Sequence, residues 1–242
     1  MLKYQHIAEA IEMKVRKKEP YYKDKLPVIE SLMATYEVSK STIIKSLAIL
    51  EEKGLIYQVR GSGIYVRKPK RSSGYLKYPE HVLNEDNRDT DKVLETVKLT
   101  IQKPNQETAN FLEINETDEV YYLERVHMND GEVICIEKSY YNKKLVTYLN
   151  AEITTGSIID YIKKAYGYQS IRFETYLTVD VLSNLEAKVL GLNEKDPKIN
   201  VNVIYYLPNY IPLGLTDLTY HYKRTKFLFQ TTSGLGTIRK NV

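Results

Sequence analysis

Residues 26–66, LPVIESLMATYEVSKSTIIKSLAILEEKGLIYQVRGSGIYV, decide the architecture of the N-terminal part of the chain. Pro27 suits a first helical turn, and Ile29, Leu32 and Met33 give a short helix one apolar face before it ends near Tyr36. Ser39 is placed to cap the next helix. On it Ile43, Leu47 and Leu50 share the buried side until Gly54 stops the run. Residues 55–66 are β-prone and broken by Gly61-Ser62-Gly63, which reads as the tip of a two-stranded hairpin. Upstream, Ile7, Ala10, Ile11 and Val15 form the stripe of a first helix closed by Pro20. Helix, helix, helix, hairpin is a winged helix-turn-helix.

The chain has 242 residues and a formal net charge of +4, a length that suits one large or two modest domains. Charged residues make up 27% and apolar runs are short, which argues against a disordered polyelectrolyte and a membrane protein. Residues 1–10 mix Lys3, His6 and Glu9 among apolar positions and lack the apolar core of a signal peptide, so a cytoplasmic location is expected. The single cysteine, Cys135, forms no internal disulfide, and with four scattered histidines it makes no zinc cluster; no cofactor or metal is expected. The +4 hides an asymmetry. Residues 1–75 hold 15 Lys and Arg against 8 Asp and Glu, and the remainder holds 20 against 23. Such a basic end fits a polyanionic partner, or a drift of surface charge.

A helix fits the major groove of B-DNA, where flanking phosphates are met by cations and by amides at helix N-termini. With Ser39 as cap, Lys40, Ser41, Ile44 and Lys45 share the face opposite the buried residues; with Thr42 they are the groove-facing candidates. Alternatively, Ile44 packs inside the domain or a dimer contact, because apolar side chains are more often buried. Arg60, Gly61, Ser62 and Gly63 would bring backbone and positive charge to a phosphate or the minor groove. An ordinary tight turn explains the glycines equally well. They lack the glycine, lysine and following helix of a nucleotide-cradling loop.

Residues 69–91 read as a linker between a domain at 1–68 and another at 92–242, because a basic run precedes Ser72-Ser73-Gly74 and a polar, acidic stretch follows at 85–91. Strand patterns at 93–102, 119–128, 133–141, 172–181, 199–207, 213–222 and 227–232 alternate with short helices at 107–112, 157–166 and 184–190. Asn129-Asp130-Gly131 is a hairpin turn. The expectation is an α+β domain on a mainly antiparallel sheet. Arg125 and His127 share one strand face, and Ser157 at a helix start brings unpaired amides, which together suit a compact anion. An Arg125–Glu137 ion pair across the hairpin accounts equally well for those two residues. A catalytic alternative casts Cys135, His127 and Glu137 as nucleophile, base and orienter. Alternation, however, puts Val133, Cys135 and Glu137 on one face, and a lone cysteine in an apolar run is usually a core residue. Of 22 tyrosines, Tyr121, Tyr122, Tyr140, Tyr141, Tyr205, Tyr206, Tyr220 and Tyr222 fall on these strands, where they line a polar cavity or pack the sheet.

Residues 4–66 resemble the DNA-binding domain of the GntR family of bacterial transcription regulators. The likeness is carried by Tyr4-Gln5-His6-Ile7-Ala8, Lys25-Leu26-Pro27, Val38-Ser39-Lys40-Ser41-Thr42, Gly54-Leu55-Ile56 and Gly61-Ser62-Gly63-Ile64-Tyr65-Val66. Lys40 and Ile44 stand where the family usually has arginines, and Val28, Ile29 and Glu30 where an acidic residue and an arginine are common. Arginine clamps guanine bidentately, lysine is a point charge, and isoleucine offers only apolar contact, as with a thymine methyl. A half-site richer in A·T than the family norm is therefore expected.

From residue 92 to about 229 the chain resembles the UTRA domain of the HutC subfamily, in Tyr122-Leu123-Glu124-Arg125-Val126-His127, Glu137-Lys138-Ser139-Tyr140, Gly156-Ser157-Ile158, Gly191-Leu192 and around Tyr220. The resemblance implies a chorismate-lyase-like α+β fold and a phosphorylated-sugar effector. Arg125, Ser157 and Arg172 match its phosphate group, and Glu137 and Tyr220 its sugar group. His127 and Gly214 depart from relatives that carry a second arginine and a glutamate there. By this resemblance the chain is identified as a homodimeric repressor, not an enzyme, that reads pseudo-palindromic operator DNA without a membrane partner. A constitutive DNA binder with an inert second domain is the competing reading.

Overall fold

A computed structural model describes residues 2–17, 19–68, 76–78, 92–168 and 170–229. The chain divides near residue 73 into two compact units. The first contains α1 (Lys3–Arg16), a short turn at Pro20–Tyr22, α2 (Ile29–Tyr36), α3 (Lys40–Glu52), and the strands β1 (Ile56–Val59) and β2 (Gly63–Val66). Its core joins Ile7, Ala8 and Ile11 of α1 to Leu32, Ile43, Leu47 and Leu50, with Ile56 and Ile64 from the hairpin. Each of the buried Leu and Ile side chains stabilises the fold by roughly 1.5–3 kcal/mol on burial. The buried Ser46 hydroxyl, 2.8 Å from the Tyr4 carbonyl oxygen, ties α3 to the start of α1.

Two local readings hold and one is corrected. Ser39 caps α3 by accepting a hydrogen bond from the Thr42 amide, and Gly54 follows the helix at φ 65°, a conformation that suits glycine. Pro27, however, lies outside α2, whose N-cap is the extended Val28. The chain is still tied to β2 there: Lys25 bridges Tyr65, and the Leu26 amide donates to the Ile64 carbonyl.

In the second unit a six-stranded sheet runs in the order β4 (Lys92–Gln102), β5 (Val120–Asn129), β6 (Glu132–Asn142), β9 (Pro212–His221), β8 (Pro197–Tyr206) and β7 (Arg172–Val181). Every neighbouring pair is antiparallel. On one face α5 (Ile158–Tyr166) packs Ile158, Ile159 and Ile162 against Leu123, Cys135, Val201, Val203 and Tyr220. On the other face α6 (Asn184–Leu190) covers Ile136, and α4 (Gln106–Leu112) covers Val120 and Leu215. A separate two-stranded sheet pairs β3 (Leu76–Tyr78) with β10 (Phe227–Phe229). β3 falls inside the stretch read as a linker; the rest of 69–91, and residues 230–242, lie outside the described residues.

The β5–β6 register departs from simple alternation. His127 faces Cys135 while Met128 faces Val133, so Ile134 is an extra residue in β6. This bulge turns Val133 to the face of Ile136, where it packs near α6, and away from Cys135. The expectation that Val133, Cys135 and Glu137 share a face fails for Val133. Asp130 and Gly131 close the hairpin at φ 51° and 76°, which suits a two-residue turn with both positions left-handed. A Cβ added at Gly131 meets nothing within 4 Å. Gly131→Ala is therefore expected to cost only backbone strain, about 1–2 kcal/mol, read as a lower urea midpoint; an unchanged midpoint would contradict this account of the turn.

Candidate functional site

In the first unit α3 presents Lys40, Ser41, Ile44 and Lys45 to solvent, and Thr42 is half-buried. The Ser39 hydroxyl lies 3.0 Å from both the Ser41 and Thr42 hydroxyls, so the cap also orders the first turn. Ile44 is 49% exposed, which rules out burial within its own domain. Lys45 lies over the Tyr4 ring, with Nζ 5.8 Å from its centroid. Arg60, Gly61 and Ser62 are exposed at the hairpin tip. Gly63 has φ 130°, and its missing side chain leaves room for Lys25, whose Nζ lies 5.2 Å from the Tyr65 ring centroid. Val28, Ile29 and Glu30 join residues 58–64 around an open groove of about 520 Å³. One helix N-terminus, exposed cations and an exposed wing thus share this small unit, and that combination suits a DNA duplex.

In the second unit the pairing register sets Arg125 directly opposite Glu137. Arg125 Nη2 donates to Glu137 Oε1 at 2.8 Å and Nε donates to Oε2 at 3.1 Å. Nη1 donates to the carbonyls of Thr154 and Gly156 at 3.1 and 3.0 Å. His127 Nε2 lies 2.7 Å from Glu137 Oε2, and the Ser139 hydroxyl donates to Oε1 at 2.7 Å while lying 2.8 Å from Thr216 Oγ1. Burial alone would raise the Glu137 pKa, but the Arg125 charge and the His127 contact outweigh it and hold the carboxyl well below its usual range. Ser157 caps α5 by accepting from the Asp160 amide at 3.2 Å.

Arg125, His127, Glu137, Ser157 and Tyr220 line one small pocket of about 20 Å³, room for about one water, together with Tyr141, Tyr205 and Thr216. Five of the six residues expected to bind an effector therefore converge. Arg172 does not: it begins β7, is exposed, and stacks its guanidinium 4.8 Å from the Tyr210 ring centroid. The ion-pair reading of Arg125 and Glu137 and the pocket reading hold together. Tyr141 and Tyr205 are among the strand tyrosines read as lining a cavity or packing the sheet, whereas Ser139 and Thr216 were not read as site residues. Only Ser139 carried a local signal, two residues from Glu137 on the same strand face. Gly214 also has a local reason: a Cβ there would lie 2.6 Å from the Tyr141 ring and 2.9 Å from the Tyr140 carbonyl oxygen.

The catalytic alternative finds no support. Cys135 is fully buried, and burial, followed by the Glu137 charge, pushes its thiol well above the usual range, away from a reactive thiolate. Among the described residues no three His, Cys, Asp or Glu side chains group as metal ligands, and no helix is long and apolar enough to cross a membrane.

Residues 3–66 match the model of the bacterial regulatory proteins of the gntR family, and residues 92–226 match that of the UTRA domain. The chain is 41% identical over 235 residues to the uncharacterized HTH-type transcriptional regulator YydK of Bacillus subtilis, covering 97% of this chain and 100% of YydK. The chain belongs to the GntR family of transcription regulators. The crystal structure of YydK aligns with a TM-score of 0.77 at 42% identity, over 96% of this chain and 100% of that one. The HTH-type transcriptional regulator TreR of B. subtilis is 24% identical over 231 residues, 93% of each chain. The effector-binding domain of the B. subtilis trehalose repressor TreR shares the fold, at a TM-score of 0.54 and 22% identity over 59% of this chain and 99% of that one. The regulator thus joins a GntR helix-turn-helix domain to a UTRA effector-binding domain, as in the HutC-like branch of the family.

The buried ion pair gives a pH test. The folded Glu137 carboxyl titrates below its unfolded value of about 4.3, so its contribution is present above that value and is lost as pH falls through the folded one. Glu137→Gln is expected to cost about 3–5 kcal/mol at neutral pH, because Arg125 is left buried and uncompensated. That deficit should shrink in acid, below about pH 4. Unfolding curves of both proteins across this range check it, and a deficit independent of pH would exclude the ion pair as its source.

Proposed function

We propose that the regulator is a homodimeric repressor that reads a pseudo-palindromic operator with α3 and the wing, and that a small phosphorylated sugar in the UTRA pocket releases it. Two copies are needed because one domain of this size contacts too few bases to select a genomic site. Lys40, Ser41, Thr42, Ile44 and Lys45 meet the major groove, and residues 60–63 meet the flanking backbone or minor groove.

The observation that carries the effector reading is the convergence of Arg125, His127 and the Ser157-capped start of α5 in one pocket. Cation, imidazole and helix N-terminus together suit a phosphate, while the hydroxyls of Tyr220 and Thr216 suit sugar hydroxyls, and Glu137 reaches a sugar hydroxyl only by giving up one of its present partners. Arg125 also holds the Thr154 and Gly156 carbonyls. An incoming phosphate competes for that guanidinium and alters its hold on the segment before α5, which is a route from pocket occupancy to a change in structure. The protein acts by binding, and Cys135 takes no part in catalysis.

Fluorescence anisotropy of an operator fragment, titrated with a panel of sugar phosphates, tests this reading. At least one member is expected to weaken operator affinity tenfold or more, and His127→Ala to blunt that response with effector-free affinity unchanged. Intact DNA binding with no response to any member would leave the inert-domain reading standing. On a panel of half-sites, Ile44→Ala is expected to lose preference for A·T-containing sites by about 1 kcal/mol or more per half-site. Unchanged affinity and preference would remove Ile44 from the reading face.

A further inference from the structure

The UTRA pocket has room for about one water, so anything larger enters only by moving a wall. Most of the walls are held. Glu137 is bound to Arg125 and His127 across the β5–β6 hairpin, and Arg125 to the Thr154 and Gly156 carbonyls. Tyr141 stacks with Tyr205, ring centroids 6.5 Å apart, and lies against Gly214. Tyr220 differs in what stands behind it. It is buried on β9 between Cys135 of β6 and Ile199 of β8, and its ring meets that of Phe227 edge to face, with centroids 5.0 Å apart and planes at 88°.

Phe227 belongs to the β3–β10 ribbon, the first described point at which the chain arriving from the DNA-binding unit is tied to the sensor. The chain leaves that unit at Ser73, three residues before Leu76 opens β3. The Leu76 amide donates to the Lys226 carbonyl at 2.7 Å, and Leu76 and Phe227 both pack against the main core. Two strands of three residues each do not hold together on hydrogen bonds alone, because an isolated two-stranded sheet is marginal in water. The ribbon therefore persists only while those two side chains are seated on the core. The turn between β9 and β10 does not yield. Its Arg224 amide donates to the His221 carbonyl at 3.1 Å, and the Arg224 guanidinium is ion-paired with Glu132 and donates to the Val133 carbonyl at 3.4 Å. With the turn pinned to the start of β6, a displacement of the Tyr220 ring is passed to Phe227 instead of being absorbed between them.

We propose that Phe227 is the positioning residue that couples the sensor pocket to the linker: an effector seated against Tyr220 drives that ring into Phe227, unseats the β3–β10 ribbon and releases the chain before Leu76. This deepens the effector reading above and rests on it. Seated and unseated ribbons are two discrete arrangements, and a ligand that disfavours one of them shifts the balance, which is what coupling between distant sites requires. The hold of Arg125 on the Thr154 and Gly156 carbonyls reaches only the segment before α5. The contact of Tyr220 with Phe227 ends on the segment that carries the DNA-binding domain.

The test uses the full chain, an operator fragment and the sugar-phosphate panel above as probes, with hydrogen exchange at the Leu76 amide as the direct reading of the ribbon. Without any sugar phosphate, Phe227→Ala is expected to speed that exchange by about tenfold or more, since an edge-to-face pair and its buried area are both lost. Its operator affinity should fall to the level that the wild type shows with the effective panel member. Calorimetry should find that member bound by Phe227→Ala within about threefold of the wild type, while operator affinity no longer responds to it. Binding kept with response lost is a pattern that general damage to the fold does not produce. Phe227→Leu, which keeps the core filled but removes the ring contact, carries the same test should the alanine variant be unfolded. In the wild type, the effective sugar phosphate should itself speed exchange at Leu76. A wild type whose operator affinity responds while Leu76 exchange stays constant, or a folded Phe227 variant that responds in full, overturns the proposal and leaves the effector reading standing. A wild type that binds operator and responds to no panel member overturns both.

Discussion

The UTRA domain is organised around one buried charge. A guanidinium sealed from water must have its charge matched and its donors occupied, or the fold bears a penalty of several kcal/mol. Arg125 meets this demand by facing Glu137 across the β5–β6 hairpin and by donating to the carbonyls of Thr154 and Gly156. One side chain therefore joins two strands to the segment that leads into α5. The same requirement explains the polar shell around the carboxylate, where His127 and Ser139 occupy its remaining acceptor capacity. A core that needed only stability would be served as well by apolar residues of similar size. What the ion pair adds is a position for Ser157 and the start of α5, which form one wall of the pocket.

The DNA-binding domain is held by a different economy. It has an apolar core, one buried hydroxyl that joins α3 to α1, and a capped helix start. Because those features fix α3 from behind, its outer face is free to carry residues chosen for a partner. An isoleucine on such a face costs hydration in the isolated domain, and Ile44 is one of several apolar side chains there: Val28, Tyr57 and Val59 are exposed on the same small unit.

Most of the fold was legible because its signals are local. Ser39 and Ser157 cap helices, Asp130-Gly131 closes a hairpin, and strand alternation placed Arg125 and His127 on a shared face. Four features were not legible, each for a non-local reason. Pro27 falls outside α2 because the chain before it is still bonded to β2. Val133 changes face because β6 carries an extra residue, which composition does not announce. Arg172 stands outside the pocket because it opens an edge strand three strands away from β6, with β9 and β8 between, a matter of sheet order. Thr216 reaches Ser139 only because β9 pairs with β6 in that register.

Tyrosine usage follows from the same geometry. Tyr122 and Tyr140 pack against each other on the face covered by α4, with ring centroids 5.2 Å apart, whereas Tyr141, Tyr205 and Tyr220 face the pocket. Burial pushes the Tyr205 and Tyr220 hydroxyls well above their usual range, and the charge of Glu137 adds to the shift in both. Both therefore remain protonated and can donate hydrogen bonds at any physiological pH. Tyr141 reaches this wall because Gly214 has no side chain: its ring lies 2.6 Å from where a Cβ would stand. A side chain at residue 214 would have to displace that ring or the Tyr140 backbone, so Gly214 and Tyr141 set the shape of the pocket as a pair. The consequence for recognition is that the chain meets a ligand's oxygens here with aromatic hydroxyls, and the carboxylate of the site is confined to Glu137, already matched to Arg125.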